Sequence, residues 1–157
     1  MDLSRIAGVI DVEKTAAACV SVFGAGASAG LAGNLARCGV RRIKTFEFDV
    51  VTPANIARQH HDATDIGRQK GQALSDAIRR INPDAVVEVI DGNYMELPDA
   101  VLHRHVAESD LLMFTTDRFA AQARGNELAL QFNVPSLWLG LYPDGVAGEI
   151  IYWHPDL

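Results

Sequence analysis

The sequence predicts an α/β fold in which a mainly parallel β-sheet carries helices on both faces. Short apolar runs alternate along the chain with longer segments of helical periodicity. The connections between them are short, and the first apolar run passes directly into a glycine-rich loop and a helix. A chain of 157 residues with 48% hydrophobic residues suits one domain with a sizeable core.

Five apolar runs are predicted as strands because they are short and bounded by turn residues. They lie at 18–23, 42–48, 85–90, 111–115 and 136–140. The tail at 145–153 alternates around Ile150 and Tyr152 and is compatible with one further strand. The stretch 49–64 is polar and irregular, and a long loop between regular elements is often functional.

Four helices are predicted between these strands, at 28–38, 65–81, 97–106 and 119–132. The clearest is the second, which Thr64 or Asp65 can cap at its beginning. Its apolar stripe is predicted to comprise Ile66, Leu74, Ala77, Ile78 and Ile81. Asn82-Pro83 ends it, and Gly39 ends the first helix.

The charge and cysteine content limit the classes of partner. A net charge of -6 and a pI near 5.2 disfavour a nucleic-acid backbone or an anionic membrane. Cys19 and Cys38 lie in apolar segments and are expected to be buried free thiols, so a reducing cytoplasm is predicted. No apolar run is long enough to span a bilayer, and no signal peptide is expected.

The glycine-rich loop predicts a bound anion. Gly24 and Gly26 occupy the first two positions of a dinucleotide fingerprint, and Ala29 fills the third, which tolerates alanine. Gly24 permits a tight turn, Gly26 lets a phosphate approach the backbone, and the following helix directs free N–H groups at the anion. The motif favours a Rossmann-like fold, but it also occurs as a packing turn and does not separate NAD, FAD, ATP and S-adenosylmethionine.

Two acids follow the loop by roughly 20 residues, the spacing at which a carboxylate commonly holds ribose hydroxyls. Glu47 ends the second predicted strand and is the better candidate. Asp49 lies on the same side of the chain by period-two spacing and is a weaker candidate for the same task.

The segments that follow depart from an ordinary dehydrogenase. The chain reads Glu-Phe-Asp at 47–49, Asn-Ile-Ala-Arg-Gln at 55–59, Gly67 shortly before Lys70, and Asn82-Pro83. This succession resembles the ThiF/MoeB/HesA family of ubiquitin-activating-enzyme-like adenylation domains, over about 20–140. The Asn-x-x-Arg-Gln element is far more specific than the glycine loop.

The resemblance implies a role for each matching residue. Gly24 and Gly26 would lie under the nucleotide, with Glu47 on the ribose, although Asp is usual there. Asn55, Arg58, Gln59 and Lys70 would hold the phosphates of ATP, and Asp117 would serve Mg²⁺ and the reacting phosphate. Arg58, Lys70 and Asp117 are thus the candidate catalytic residues. Arg offers a rigid fork of donors, Lys a point charge, and Mg²⁺ prefers carboxylate oxygen, so their chemistry suits a triphosphate.

The function that the resemblance implies is ATP-dependent adenylation of a carboxylate, typically the C-terminal Gly-Gly of a ubiquitin-like or sulfur-carrier protein. Two alternatives stay open. One is an ATP-binding module or partner subunit without turnover, and the other is an NAD-dependent oxidoreductase, which leaves Asn55, Arg58, Gln59 and Lys70 unexplained.

Other family features are expected to be absent or remain open. The chain has no pair of Cys-x-x-Cys elements, so no zinc site is expected, and neither cysteine matches the family's thioester cysteine. One nucleotide-binding domain is predicted over 1–157, cut short at its C-terminal end relative to the family, and a homodimer is expected.

His60 and His61 point opposite ways on an extended chain and are predicted to lie on the loop surface.

Overall fold

The computed structural model describes residues 1–156, apart from the side chain of Pro143. Six strands form one sheet in the order β3-β2-β1-β4-β5-β6. The strands are β1 (Cys19–Phe23), β2 (Arg42–Glu47), β3 (Val86–Asp91), β4 (Leu111–Phe114), β5 (Ser136–Leu141) and β6 (Gly148–Trp153). The first five are parallel, and β6 returns antiparallel to β5. The predicted α/β fold with a mainly parallel sheet is therefore confirmed.

Six α-helices accompany the strands within the described residues. They are α1 (Val12–Ala17), α2 (Ala29–Arg37), α3 (Pro53–Ile56), α4 (Lys70–Ile81), α5 (Asp99–Ala107) and α6 (Phe119–Phe132). Short 3₁₀ turns lie at Ala63–Asp65 and Pro143–Gly145. None of these helices combines the length and apolar composition that crossing a bilayer requires.

The two faces of the sheet carry different cores. On one face, α2 and α4 pack aliphatic side chains against the alternate residues Val20 and Val22 of β1. On the other face, α5 and α6 cover an aromatic cluster built around Phe23. All five residues of β1 are buried, which is why β1 is apolar at every position except Ser21.

The aromatic cluster forms a row across four strands. Phe46, Phe23, Phe114 and Trp138 stand in register on β2, β1, β4 and β5. Their rings stack face to face, with centroids 4.4, 4.5 and 5.4 Å apart along the row. The row crosses the sheet at the carboxyl ends of β1 and β4, beneath the site described below.

The predicted helix 65–81 begins five residues later than expected, at Lys70. The backbone at Val51 pairs instead with the chain at 67–68, through Gly67 N to Val51 O at 2.9 Å and Val51 N to Arg68 O at 2.9 Å. Gly67 has a φ of +86°, which a right-handed helix does not allow. Ile66 is consequently exposed, and its predicted place in the apolar stripe is wrong, whereas Leu74 and Ile78 are buried.

One further expectation needs correction, and one helix lies outside the predicted elements. Cys19 is buried in β1, but Cys38 is exposed, because it follows the last turn of α2 where the chain leaves the core. Helix α1 was not predicted; Asp11 caps it by accepting from Lys14 N, and none of its residues is buried.

Candidate functional site

A cavity of about 1180 Å³ opens at the carboxyl edge of the parallel sheet. Its walls are the glycine loop, the end of β2, the segment 92–96 after β3, the residues after β4, and the β5–β6 hairpin. The chain reverses the direction in which the sheet grows between β1 and β4, and ligands of open α/β sheets bind at such a switch point.

The glycine loop is held by Ser28 at its own end and by side chains from other segments. Gly24 has a φ of +96°, and its carbonyl oxygen accepts hydrogen bonds from Ser28 Oγ and from Thr115 Oγ1, the latter at 3.2 Å. Ala25 N donates to Glu47 Oε2 at 2.7 Å. A Cβ at Gly26 would lie 2.7 Å from Gln59 Nε2, so a larger residue there would require the end of the Gln59 side chain to move.

Glu47 joins the end of β2 to this loop. Besides Ala25 N, its carboxylate accepts from Phe48 N at 2.9 Å and from Asp49 N at 3.0 Å. The residue is 8% exposed and lines the cavity. Glu47 was correctly predicted to lie at the carboxyl edge of the sheet. The structure adds that its carboxylate binds three backbone N–H groups there.

The predicted phosphate-binding cations both line the cavity. Lys70 begins α4, its side chain is almost wholly buried, and its Nζ lies 2.9 Å from Asp49 Oδ2. Lys70 N also donates to Asp49 O at 2.8 Å, so the start of α4 is tied to the end of β2. Arg58 is exposed at the cavity, just beyond the short helix α3.

Asp117 lies on the opposite wall, three residues after β4 ends. It is exposed to the cavity, as expected for a residue beyond the carboxyl end of a parallel strand. The structure thus brings Gly26, Arg58, Lys70 and Asp117 to one cavity, the arrangement on which the nucleotide hypothesis depends. Within residues 1–156, no three or more His, Cys, Asp or Glu side chains gather into a ready-made metal site.

Two predicted site residues are not among those that line the cavity. Ala29 is buried in the first turn of α2. Asn55 is buried, and its amide oxygen accepts from Thr52 N at 2.8 Å and Thr52 Oγ1 at 3.0 Å, which caps α3. The predicted contact between Asn55 and a phosphate stays a prediction.

The two adjacent histidines behave differently from each other. His60 is exposed, but its ring packs where a side chain at Gly30 would otherwise stand. His61 is buried, and its Nε2 lies 3.1 Å from the carbonyl oxygen of Ala25. The expectation that His61 lies on the surface is therefore wrong, because the loop folds back over the glycine turn. Burial lowers the pKa of His61.

Sequence reasoning missed the apolar wall of the cavity. Met95, Leu141, Tyr142 and Ile150 contribute to it and are substantially exposed, and Tyr94 anchors its inner end. The Tyr94 hydroxyl donates to Ala121 O at 2.6 Å, and burial raises the pKa of Tyr94 to about 12. The sequence offered only one indication of this wall. Residues 92–96 directly follow β3, at the edge of the sheet where ligands bind.

Known proteins resemble this chain in sequence and in fold. The chain matches the model of the ThiF family over residues 1–155. It is 28% identical to ubiquitin-like modifier-activating enzyme 5 of Caenorhabditis elegans, over 99% of this chain and 39% of that protein. It is 35% identical to molybdopterin-synthase adenylyltransferase of Escherichia coli, over 64% of this chain and 40% of that protein.

Two further comparisons extend the likeness. The probable adenylyltransferase/sulfurtransferase MoeZ of Mycobacterium tuberculosis is 33% identical over 78% of this chain and 31% of its own length. The crystal structure of SeMet PaaA superposes with a TM-score of 0.74 at 25% identity, covering 84% of this chain and 43% of that one. The chain therefore spans between 31% and 40% of the length of these curated relatives. With the match extending over nearly every residue, this chain belongs to the ThiF family.

Proposed function

We propose that this chain catalyses the ATP-dependent adenylation of a carboxylate, typically the C-terminal Gly-Gly of a ubiquitin-like or sulfur-carrier protein. The observation that carries the proposal is that Gly26, Arg58, Lys70 and Asp117 line a single cavity at the sheet's carboxyl edge. The relatives named as adenylyltransferases and as a modifier-activating enzyme favour the same chemistry.

In the proposed reaction, a carboxylate oxygen of the substrate attacks the α-phosphorus of ATP. The new O–P bond forms while the bond from the α-phosphorus to the bridging oxygen breaks, and pyrophosphate leaves with the electron pair. The step needs no side-chain nucleophile. Arg58 and Lys70 would neutralise phosphate charge, and the glycine loop would hold the chain of phosphates by backbone N–H groups.

Asp117 is the residue that would hold Mg²⁺. Mg²⁺ is usually bound through one or two carboxylates together with substrate phosphates and water, so one carboxylate beside a phosphate site fits it. When bound, the ion would withdraw charge from the phosphates as pyrophosphate departs.

In this proposal, Glu47 would accept a hydrogen bond from one ribose hydroxyl. An ionised carboxylate can accept about four hydrogen bonds, and three backbone N–H groups already donate to that of Glu47. The remaining capacity of about one hydrogen bond suits a single hydroxyl better than both. Asp49 is engaged with Lys70, which makes it the weaker ribose candidate.

The family resemblance and the acidic composition lead to the finer proposals. We expect a homodimer that works in the cytoplasm and contacts neither nucleic acid nor membrane. Sedimentation at several protein concentrations tests the dimer, and a monomer at every concentration would contradict it.

The test is exchange of labelled pyrophosphate into ATP with candidate carrier proteins that end in Gly-Gly. Adenylation predicts exchange that requires the carrier's terminal carboxylate, so a carrier extended by one residue is the matched control. The variants Lys70→Met and Asp117→Asn should each reduce exchange at least about tenfold, whereas Glu96→Gln, at the cavity rim, should not.

Two outcomes would point to the alternatives. ATP binding by calorimetry without exchange would favour a binding module, which the partial coverage of the relatives also allows. Tighter binding of NADH than of ATP would favour the oxidoreductase.

A further inference from the structure

Ala25, in the glycine loop, has both of its backbone polar groups held by side chains from other segments. Glu47 Oε2 accepts from its N–H at 2.7 Å, and His61 Nε2 lies 3.1 Å from its carbonyl oxygen. These partners come from the end of β2 and from the loop between α3 and α4. Such a double restraint fixes the orientation of the peptide planes on either side of Ala25.

The chemistry of the contact defines the state of the ring. A carbonyl oxygen only accepts hydrogen bonds, so His61 must carry a hydrogen on Nε2. Burial lowers the pKa of His61; the hydrogen bond to Ala25 opposes that change, as do Asp65 and Glu47, and Lys70 adds to it. The ring is therefore neutral and in its Nε2–H form at neutral pH.

The direction of the loop carbonyls matters for anion binding. A phosphate is held by N–H groups that converge on it, and carbonyl oxygens facing it would repel it. The Gly24 carbonyl accepts hydrogen bonds from Ser28 and Thr115, and the Ala25 carbonyl is bound by His61. Among residues 1–156, the N–H groups of Gly26 and Ala27 have no acceptor, and both residues line the cavity.

The stretch that contains His61 also connects the glycine loop to Arg58. Gln59, His60 and His61 contact the glycine loop and the start of α2 at Gly26, Gly30 and Ala25 in turn. Arg58 directly precedes this stretch. The hydrogen bond from His61 is therefore the polar link between the glycine loop and the segment that presents Arg58.

We propose that His61 is a positioning residue for phosphate binding, which turns the Ala25 carbonyl away from the cavity and so directs the N–H groups of Gly26 and Ala27 into it. The proposal rests on the proposed function, since it requires that a phosphate occupies the cavity. His61 itself does not line the cavity and acts through the loop.

The test compares two variants of His61 in the full chain. His61→Leu removes the donor, whereas His61→Gln places an amide N–H at about the reach of Nε2. Affinities for ATP and for adenosine are measured by calorimetry and corrected for the folded fraction. His61→Leu should weaken ATP binding about tenfold and leave adenosine unchanged, and His61→Gln should restore most of the ATP affinity.

Each outcome decides the question. Equal losses for ATP and adenosine in His61→Leu, or no recovery in His61→Gln, would overturn the positioning role and leave the proposed function standing. Absence of ATP binding by the unchanged chain would overturn both. His60→Gln is the control at the neighbouring residue and should bind ATP as the unchanged chain does.

A measurement on the unchanged chain covers the case in which His61→Leu does not fold. Nitrogen-15 NMR distinguishes the two neutral forms of the ring. We expect His61 with its proton on Nε2 and a coupling across the hydrogen bond to the Ala25 carbonyl. A ring protonated on Nδ1 alone would overturn the proposal.

Discussion

Lys70 and Asp49 form an ion pair at the cavity in which one partner is buried and the other is not. The two charged groups are 2.9 Å apart, with the Lys70 side chain 8% exposed and that of Asp49 53% exposed. The Asp49 carboxylate is therefore already paired with the ammonium group that a phosphate would need. A nucleotide would compete with the carboxylate for this ammonium group, and removing either partner should have opposite effects on binding.

We predict that Lys70→Met weakens ATP binding at least about tenfold, because it removes a cation from the phosphate site. Asp49→Asn should instead strengthen ATP binding, because it removes a competing negative charge. It should also lower the free energy of unfolding of the nucleotide-free chain by about 1 kcal/mol, since Asp49 is half-exposed. Calorimetry and urea unfolding measure the two effects. A loss of ATP affinity in Asp49→Asn would favour the ribose role predicted for Asp49 from sequence.

Glu47→Gln should destabilise the fold as well as the site. The amide nitrogen would face backbone donors in place of a carboxylate oxygen, and three hydrogen bonds to a charged acceptor would be weakened or lost. We expect the free energy of unfolding to fall by about 3 kcal/mol. Urea unfolding checks this, with the exposed rim residue Glu96→Gln as the control. Unchanged stability in Glu47→Gln would show that the carboxylate does not organise the loop.

Gly26→Ala and Gly125→Ala should separate binding from stability. A methyl group at Gly26 meets the end of the flexible Gln59 side chain, which can move, so stability should change by less than about 1 kcal/mol. The same methyl group blocks the approach of a phosphate to the loop, so ATP binding should fall at least about tenfold.

In Gly125→Ala, the methyl group lies 2.6 Å from Cε1 of the packed Phe114 ring. We expect a loss of about 1 to 2 kcal/mol in the free energy of unfolding, with ATP affinity per folded molecule retained. Thermal unfolding with and without ATP measures both. The reverse pattern in the two variants would contradict the assignment of Gly26 to the phosphate site.

Stability should fall in mild acid because of His105. Its ring is buried against Phe46, and its Nδ1 lies 3.7 Å from Glu88 Oε2. Burial lowers the pKa of His105 from its ordinary value of 6.5 in spite of Glu88, so the unfolded chain binds this proton more readily than the folded chain does. The stability that the neutral His105 ring contributes is fully present above about pH 6.5. It is lost as the pH falls through the pKa of His105 in the folded chain.

Urea midpoints at about pH 7.5 and about pH 5.5 test this, because most carboxylates titrate below that range. The midpoint of the unchanged chain should be lower at the acidic pH. His105→Gln should reduce the difference between the two midpoints, and an undiminished difference would exclude His105 as its source. Burial lowers the pKa of His61 too, so His61→Gln should also reduce the difference.

Residues that act through local pattern were predictable from sequence. Helix α6 has the predicted bounds, because its amphipathic stretch ends at Asn133, which adopts the left-handed conformation with a φ of 55°. Gly26 and Asp117 follow strands whose carboxyl ends meet at one edge of a parallel sheet, so their proximity was predictable from the fold. Arg58 and Lys70 were assigned to the same site by the resemblance to the ThiF/MoeB/HesA family.

Contacts between distant segments could not be predicted in the same way. The start of α4 is set by the pairing of Val51 with 67–68, which overrides a plausible local cap at Thr64 or Asp65. The burial of His61 depends on a carbonyl group 36 residues away. Neither the hydrophobic periodicity of a segment nor the helix or strand propensity of its residues indicates which distant segment it will contact.

The stacked row of Phe46, Phe23, Phe114 and Trp138 provides the molecule with an intrinsic optical probe. Trp138, 7% exposed, ends a line of ring faces whose opposite end, Phe46, borders the cavity. A ligand that shifts the Phe46 ring would alter the packing along this line, and with it the surroundings of the indole. The emission of Trp138, isolated by replacing Trp153 with Phe, would then report occupancy of the cavity without any attached dye.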